Sequence, residues 1–205
     1  MLRLTDTFDE DCFEYGELIL HVDMSFDNIL FLFEMFDDTT FYENEKIPLA
    51  LEMLIDEYDQ IKDIPFDEKF ALFKYVMNEF LEIDLDAEKE QEKKIMDFTK
   101  DAELIYASFF SVYHIDLFEM QGKLHWHKFN ALLTNLNDES PFKQVVGYRT
   151  MKVPKSQEGD DEYRKHVIKM KQIHALEQSE EEQAANINKA FSELENVFKG
   201  VKRDV

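Results

Sequence analysis

The sequence predicts a mainly α protein: a helical domain with a small N-terminal β-hairpin and a C-terminal helical extension. Three observations predict it. Five Gly and four Pro in 205 residues are too few for a sandwich or barrel, which turns about every ten residues. Apolar residues recur at steps of three and four along most of the chain. Only around Gly16 do two short runs flank a turn residue. At 44% hydrophobic and 33% charged, the chain can bury one full core with room for an appendage.

Residues 13–22, Phe-Glu-Tyr-Gly-Glu-Leu-Ile-Leu-His-Val, place Gly16 between two runs able to pair as a hairpin. A lone two-stranded ribbon is marginal, so it must pack on something. Ser25 then suits a helix N-cap, with Asp27 in the first turn. Phe26, Ile29, Leu30, Phe33 and Phe36 follow on one helical face, ending near Asp37 and Asp38. Pro48, after Glu43-Asn44-Glu45, suits the first turn of a second helix. Its stripe is Ile47, Leu51, Leu54, Ile55 and Tyr58. Pro65 and Asp67 open a third, with Phe66, Phe70, Phe73, Val76, Met77, Phe80 and Leu81 at helical spacing. Residues 84–94 are charged, with Leu85 as the one large apolar residue, and read as a solvent loop or an exposed helical extension. A fourth helix starts near Asp97 or Thr99 and carries Phe98, Ala102, Ile105, Tyr106, Phe109 and Tyr113. Residues 114–120 form a connection. A fifth helix carries Leu124, Phe129, Leu132, Leu133 and Leu136, and Ser140-Pro141 cap a short sixth with Phe142, Val145, Val146 and Tyr148.

The expected organisation is a helical domain over residues 1–150, a linker over 151–161 and a charged helical extension over 162–205. Ile187, Phe191, Leu194 and Phe198, at steps of four, three and four, are the candidate partner-binding stripe of that extension. Packing on the body or self-association is favoured over a foreign partner.

The formal net charge is −22 and the pI about 4.5. Such a field repels phosphate backbones and anionic bilayers, so neither nucleic acid nor membrane is expected as a partner. The charge is uneven: residues 1–60 hold 17 acids and 2 bases, whereas residues 141–205 hold 11 acids and 12 bases. An acidic front and a balanced back suit protein partners. No run approaches 18 apolar residues. The N-terminal stretch turns acidic at once, unlike a signal peptide. One cysteine, Cys12, excludes a disulfide framework and a Cys-rich zinc site.

Catalytic readings find little. His125-Trp126-His127 is the most visible cluster, but alternate helical residues lie about 200° apart, which would point the imidazoles to opposite faces. His114 precedes them across a loop. A calcium loop from Asp84 would need Gly and Glu where Lys89 and Ile95 stand. No phosphate-cradling Gly loop and no Gly-x-Ser-x-Gly elbow occurs. Cys12 sits among Glu10, Asp11 and Glu14, which disfavour a thiolate. The expectation is no enzyme, no metal and no cofactor. With 19 Phe and 9 Met, exposed aromatic patches ringed by acids would suit a protein that covers an aggregation-prone partner.

A resemblance sharpens this. The block Asp97-Phe98-Thr99-Lys100-Asp101-Ala102-Glu103-Leu104-Ile105-Tyr106-Ala107-Ser108-Phe109 runs on to Tyr113-His114-Ile115-Asp116-Leu117. Leu124-His125-Trp126-His127-Lys128-Phe129-Asn130-Ala131-Leu132-Leu133 follows, and later Phe142-Lys143-Gln144-Val145-Val146-Gly147-Tyr148-Arg149. In order and spacing this resembles the tail-assembly-chaperone-like proteins of long-tailed phages that infect Gram-positive bacteria, over roughly residues 10–150. The resemblance implies a helical protein that binds the tape measure protein in the host bacterial cytoplasm before the tail tube polymerises. Such a protein is displaced as tail tube protein arrives and is absent from the mature virion, and self-association of this chain is expected beside it. Phe98, Tyr106, Phe109, His125, Trp126 and Phe129 then read as fold-defining positions. The alternatives are a structural tail or neck component kept in the particle, and an acidic DNA mimic that inhibits a host enzyme.

Overall fold

A computed structural model describes residues 11–87, 94–154 and 161–176. Strands β1 (Cys12–Tyr15) and β2 (Leu18–His21) pair antiparallel, Cys12 opposite His21. Gly16 makes the turn at φ +64°, a backbone region that costs any other L residue energy. The ribbon does pack on something. Asp23 N–H donates to the Leu54 carbonyl (2.8 Å) and Asp56 N–H to the His21 carbonyl (3.1 Å), so its outgoing strand is stitched to the end of the second helix and the residues just after it.

The described residues hold seven α-helices. Helix α1 is Phe26–Asp37, α2 Glu43–Leu54, α3 Phe66–Glu79, α4 Ala102–Tyr113, α5 Trp126–Thr134, α6 Pro141–Thr150 and α7 Asp161–Ile173. A short 3-10 turn, Tyr58–Gln60, follows α2. Helix α1 packs on α2 and α5, α2 on α3, and α4 on α5. The fold is therefore mainly α with an N-terminal hairpin. The chain divides into two compact units, residues 1–93 with 98–143, and residues 94–97 with 144–205.

Several expectations from the sequence need correction. In α1 the most buried side chains include Leu32 and Met35 as well as Phe26 and Ile29. A helix packed on both α2 and α5 buries a wider face than one narrow stripe, and Phe33 and Phe36 are turned onto aromatic neighbours, Trp126 (5.6 Å) and Phe73 (5.5 Å). Ser25 holds the N-cap backbone position, but its hydroxyl caps nothing. Pro48 lies well inside α2 rather than in its first turn. The helix begins earlier because the Glu45 carboxylate accepts the Tyr42 N–H (3.1 Å), closing its first turn. The proline has no N–H to donate to the Asn44 carbonyl one turn before it. In α3, Phe66 and Phe70 are exposed while Leu72 is buried with Phe73, Val76 and Met77. Helix α4 starts at Ala102, not at Asp97 or Thr99, because buried Asp101 takes the N-cap position after a turn through Phe98.

The ends of α1 and α6 are closed by lysines. Buried Lys46 donates from Nζ to the Phe36 carbonyl (2.8 Å) at the end of α1, where a cation meets the negative end of the helix dipole. Lys171 does the same for α6, donating to the carbonyls of Tyr148 (3.2 Å), Arg149 (2.7 Å) and Met151 (2.7 Å).

Candidate functional site

Of the six positions that the resemblance marks, Phe98, Phe109 and Trp126 meet around a fourth, Phe129. Its ring stacks on Phe26 (4.9 Å between centroids), Phe109 (5.2 Å) and Trp126 (5.7 Å), and lies 6.3 Å from Phe98. Phe109, Trp126, Phe129 and His125 are buried, while Phe98 and Tyr106 are half-buried.

His125 is not on the helix at all. It occupies the N-cap of α5 in extended conformation, and its ring Nδ1 accepts the His127 N–H (3.1 Å). With Nδ1 accepting, the neutral ring carries its proton on Nε2, which donates to Asp11 Oδ2 (2.9 Å). The helical geometry that would separate the two imidazoles does not apply, and their centroids lie 5.3 Å apart. His127 has its pKa lowered, first by burial and then by His125, with the Phe80 carbonyl and Asp11 pulling the other way. Exposed His114 ends α4 in the left-handed region, at φ 56°. Among the described residues no group of three or more His, Cys, Asp or Glu is arranged to hold a metal ion, and no helix is long and apolar enough to cross a membrane.

Beside the aromatic cluster lies an apolar groove of about 240 Å³. Buried Phe26, Ile105 and Phe129 form its floor, and Leu30, Phe98 and Tyr106 its walls. Two phenylalanines stand at its mouth, Phe31 (61% exposed) and Phe118 (70% exposed). Asp27 and Glu34 supply acidic groups at the same groove.

Local hydrogen bonds hold the mouth in shape. After His114 the chain leaves α4 and runs through Asp116. One Asp116 oxygen accepts the Phe118 N–H (3.0 Å) and the other the Tyr106 hydroxyl (3.3 Å). The Phe118 ring then lies 5.3 Å from that of Tyr106. The Tyr106 phenol has its pKa raised, first by desolvation and then by the Asp116 carboxylate. Across the groove, Asp27 Oδ1 accepts the Gly122 N–H (2.9 Å), tying the 114–124 connection to α1. The arrangement can seat a large apolar side chain and attract positive charge.

Apolar spacing in the sequence places Phe98, Ile105, Tyr106 and Phe129 on helical faces but misses Phe31 and Phe118. A signal is present. Phe31 lies off the apolar stripe of α1, and Phe118 is a large aromatic in a connection. Neither has a core to fill. Ile187, Phe191, Leu194 and Phe198 lie outside the described residues.

The family model described as bacteriophage Gp15 protein matches residues 4–176, more than four fifths of the 205. No curated protein and no solved structure matches the chain. The match spans the hairpin, all seven described helices and the groove, and stops before the 187–198 stripe. The chain belongs to the bacteriophage Gp15 protein family.

Proposed function

We propose that the chain is a phage tail assembly chaperone that binds and solubilises the tape measure protein before the tail tube polymerises. The observation that carries the reading is the groove. A soluble protein rarely exposes several aromatic rings around an open apolar cavity unless something covers them. Here the acids that surround the rings keep the uncovered state dispersed. A holder of a long helical chain needs many moderate contacts that can later be released. Several copies along one chain supply avidity of that kind. On this reading the partners are tape measure protein first and tail tube protein at displacement, with self-association of the chaperone itself. The place of action is the host cytoplasm, and the protein leaves before the virion matures. No step of bond making or breaking is involved.

Co-expression tests the reading. Tape measure fragments that aggregate alone should stay soluble and co-purify with the full chain. Fragments that remain insoluble at matched expression would count against it. Mass spectrometry of purified virions separates a chaperone from a retained tail or neck component, because stoichiometric presence in the particle would favour the latter.

A further inference from the structure

The groove wall contributed by α1 carries a pattern of its own. Asp27, Leu30, Phe31 and Glu34 all border the groove, and they stand at i, i+3, i+4 and i+7 of one helix. Positions seven apart return to nearly the same face, two turns and ~10.5 Å along the axis. The wall is therefore acid, apolar, apolar, acid, read along one face. This face is distinct from the one that α1 buries through Ile29, Leu32 and Met35.

We infer that the groove is an anchor site for a basic amphipathic helix of another polypeptide. One large apolar side chain of that helix fills the cavity, and Lys or Arg residues two turns apart pair with Asp27 and Glu34. The inference rests on the chaperone reading and names the kind of segment such a chaperone would hold. Two observations select this occupant. The cavity volume, about 240 Å³, is below the ~300–1,000 Å³ of small-molecule pockets and is on the scale of one or two large side chains. The charge selects the flank: 17 acids against 2 bases over residues 1–60 repel an acidic helix and draw a basic one. Each carboxylate offers several acceptor sites. The Gly122 N–H on Asp27 and the Thr99 hydroxyl on Glu34 (3.4 Å) therefore leave capacity for a cation. The complementary pattern on the partner is basic, apolar, apolar, basic at i, i+3, i+4 and i+7.

The test uses the full chain and two labelled synthetic helical peptides with the same leucine and phenylalanine positions. One carries Lys at i and i+7, the other Glu, and fluorescence anisotropy reads the affinity. The Lys peptide should bind at least tenfold tighter, with an advantage that shrinks as salt rises. The double variant Phe31→Ser with Phe118→Ser should weaken it at least tenfold, and Glu34→Lys should shift preference toward the Glu peptide. Both phenylalanines are exposed, so the double variant keeps its fold, checked by circular dichroism and by Trp126 emission. Equal affinity for the two peptides, no binding of either, or binding unchanged in the double variant would overturn the inference. A wild-type dimer that the double variant dissociates, with peptide binding unaffected, would assign the groove to a second copy instead. Tape measure rescue separates the two readings. If the double variant rescues as well as wild type, the groove inference fails and the chaperone reading stands. If the peptides behave as expected but no tape measure fragment is rescued, only the chaperone reading fails.

Discussion

Arg149 and Lys171 close each other's helices. Arg149, in the last turn of α6, donates from Nε to the His174 carbonyl just beyond α7 (2.6 Å). Lys171, in the last turn of α7, donates to three carbonyls at the end of α6. The carbonyls left over at a helix end need partners, and a cation there also meets the dipole. The Tyr148 ring lies parallel to the His174 ring, 5.9 Å away, between the two caps. Lys171→Met keeps the aliphatic stem and removes the charge. It should cost about 1–2 kcal/mol in local stability. Hydrogen exchange should show amide protection falling around residues 148–151 and in α7, with the hairpin unchanged. Uniform protection across the variant would show that the lysine is not holding this joint.

Phe129 is the ring on which the others rest. It is almost fully buried and touches four aromatic neighbours. Phe129→Ala should destabilise by about 3–5 kcal/mol, through lost transfer energy and the cavity left behind. Phe129→Leu should cost clearly less. Chemical denaturation followed by Trp126 emission measures both, because the single tryptophan sits 5.7 Å from Phe129. A cost under 1 kcal/mol for the alanine variant would show that the cluster is not the core's centre.

Apolar periodicity in the sequence locates a helix well when one face is buried: Phe129 and Leu133 fall on the buried side of α5 as their spacing requires. The hairpin is legible because Gly16 separates its two runs. Periodicity blurs where the buried face is wide, as on α1, and fails where an aromatic faces solvent, as Phe66, Phe70 and Phe31 do. It also fails at boundaries. One residue of displacement moves His125 from helix to cap and changes where its ring points. The groove combines α1, α4, α5 and a connection, and such tertiary proximity leaves no local pattern. Its traces are Phe31 and Phe118, aromatics with no stripe to belong to.

Folding depresses the pKa of His127, mainly by burial. The unfolded chain, with an ordinary histidine value of ~6.5, therefore takes up its proton first as pH falls. Where the unfolded state binds more protons, stability rises with pH. The contribution of His127 is fully present above ~6.5 and is lost as pH drops through the depressed folded value. Glu57, whose pKa is lowered chiefly by the His21 N–H (2.8 Å) and then by the His21 ring, adds its own loss only below the ordinary carboxylate range. His127→Gln removes the titration while keeping a donor. Its melting temperature should fall less than wild type between pH 7.5 and pH 5.5, conditions on the order of one unit either side of the free value. Parallel curves for the two proteins would exclude His127 as a source of the acid sensitivity.

The same substitution should have opposite signs at two glycines. Gly16 holds φ +64°, and no described residue lies within 4 Å of where a Cβ would sit. Gly16→Ala therefore meets no clash and carries only the backbone cost of a left-handed residue, about 1–2 kcal/mol. Gly16→Asn should cost less, since Asn tolerates that region. Gly147 lies inside α6 without a positive φ, again with no described residue within 4 Å of its Cβ position. There the methyl group raises helix propensity and reduces the freedom of the unfolded chain, so Gly147→Ala should stabilise by about 0.5–1 kcal/mol. Thermal and urea denaturation of the two single variants measure both signs on one scale. Destabilisation by Gly147→Ala would mean that the added methyl group meets something other than the described residues.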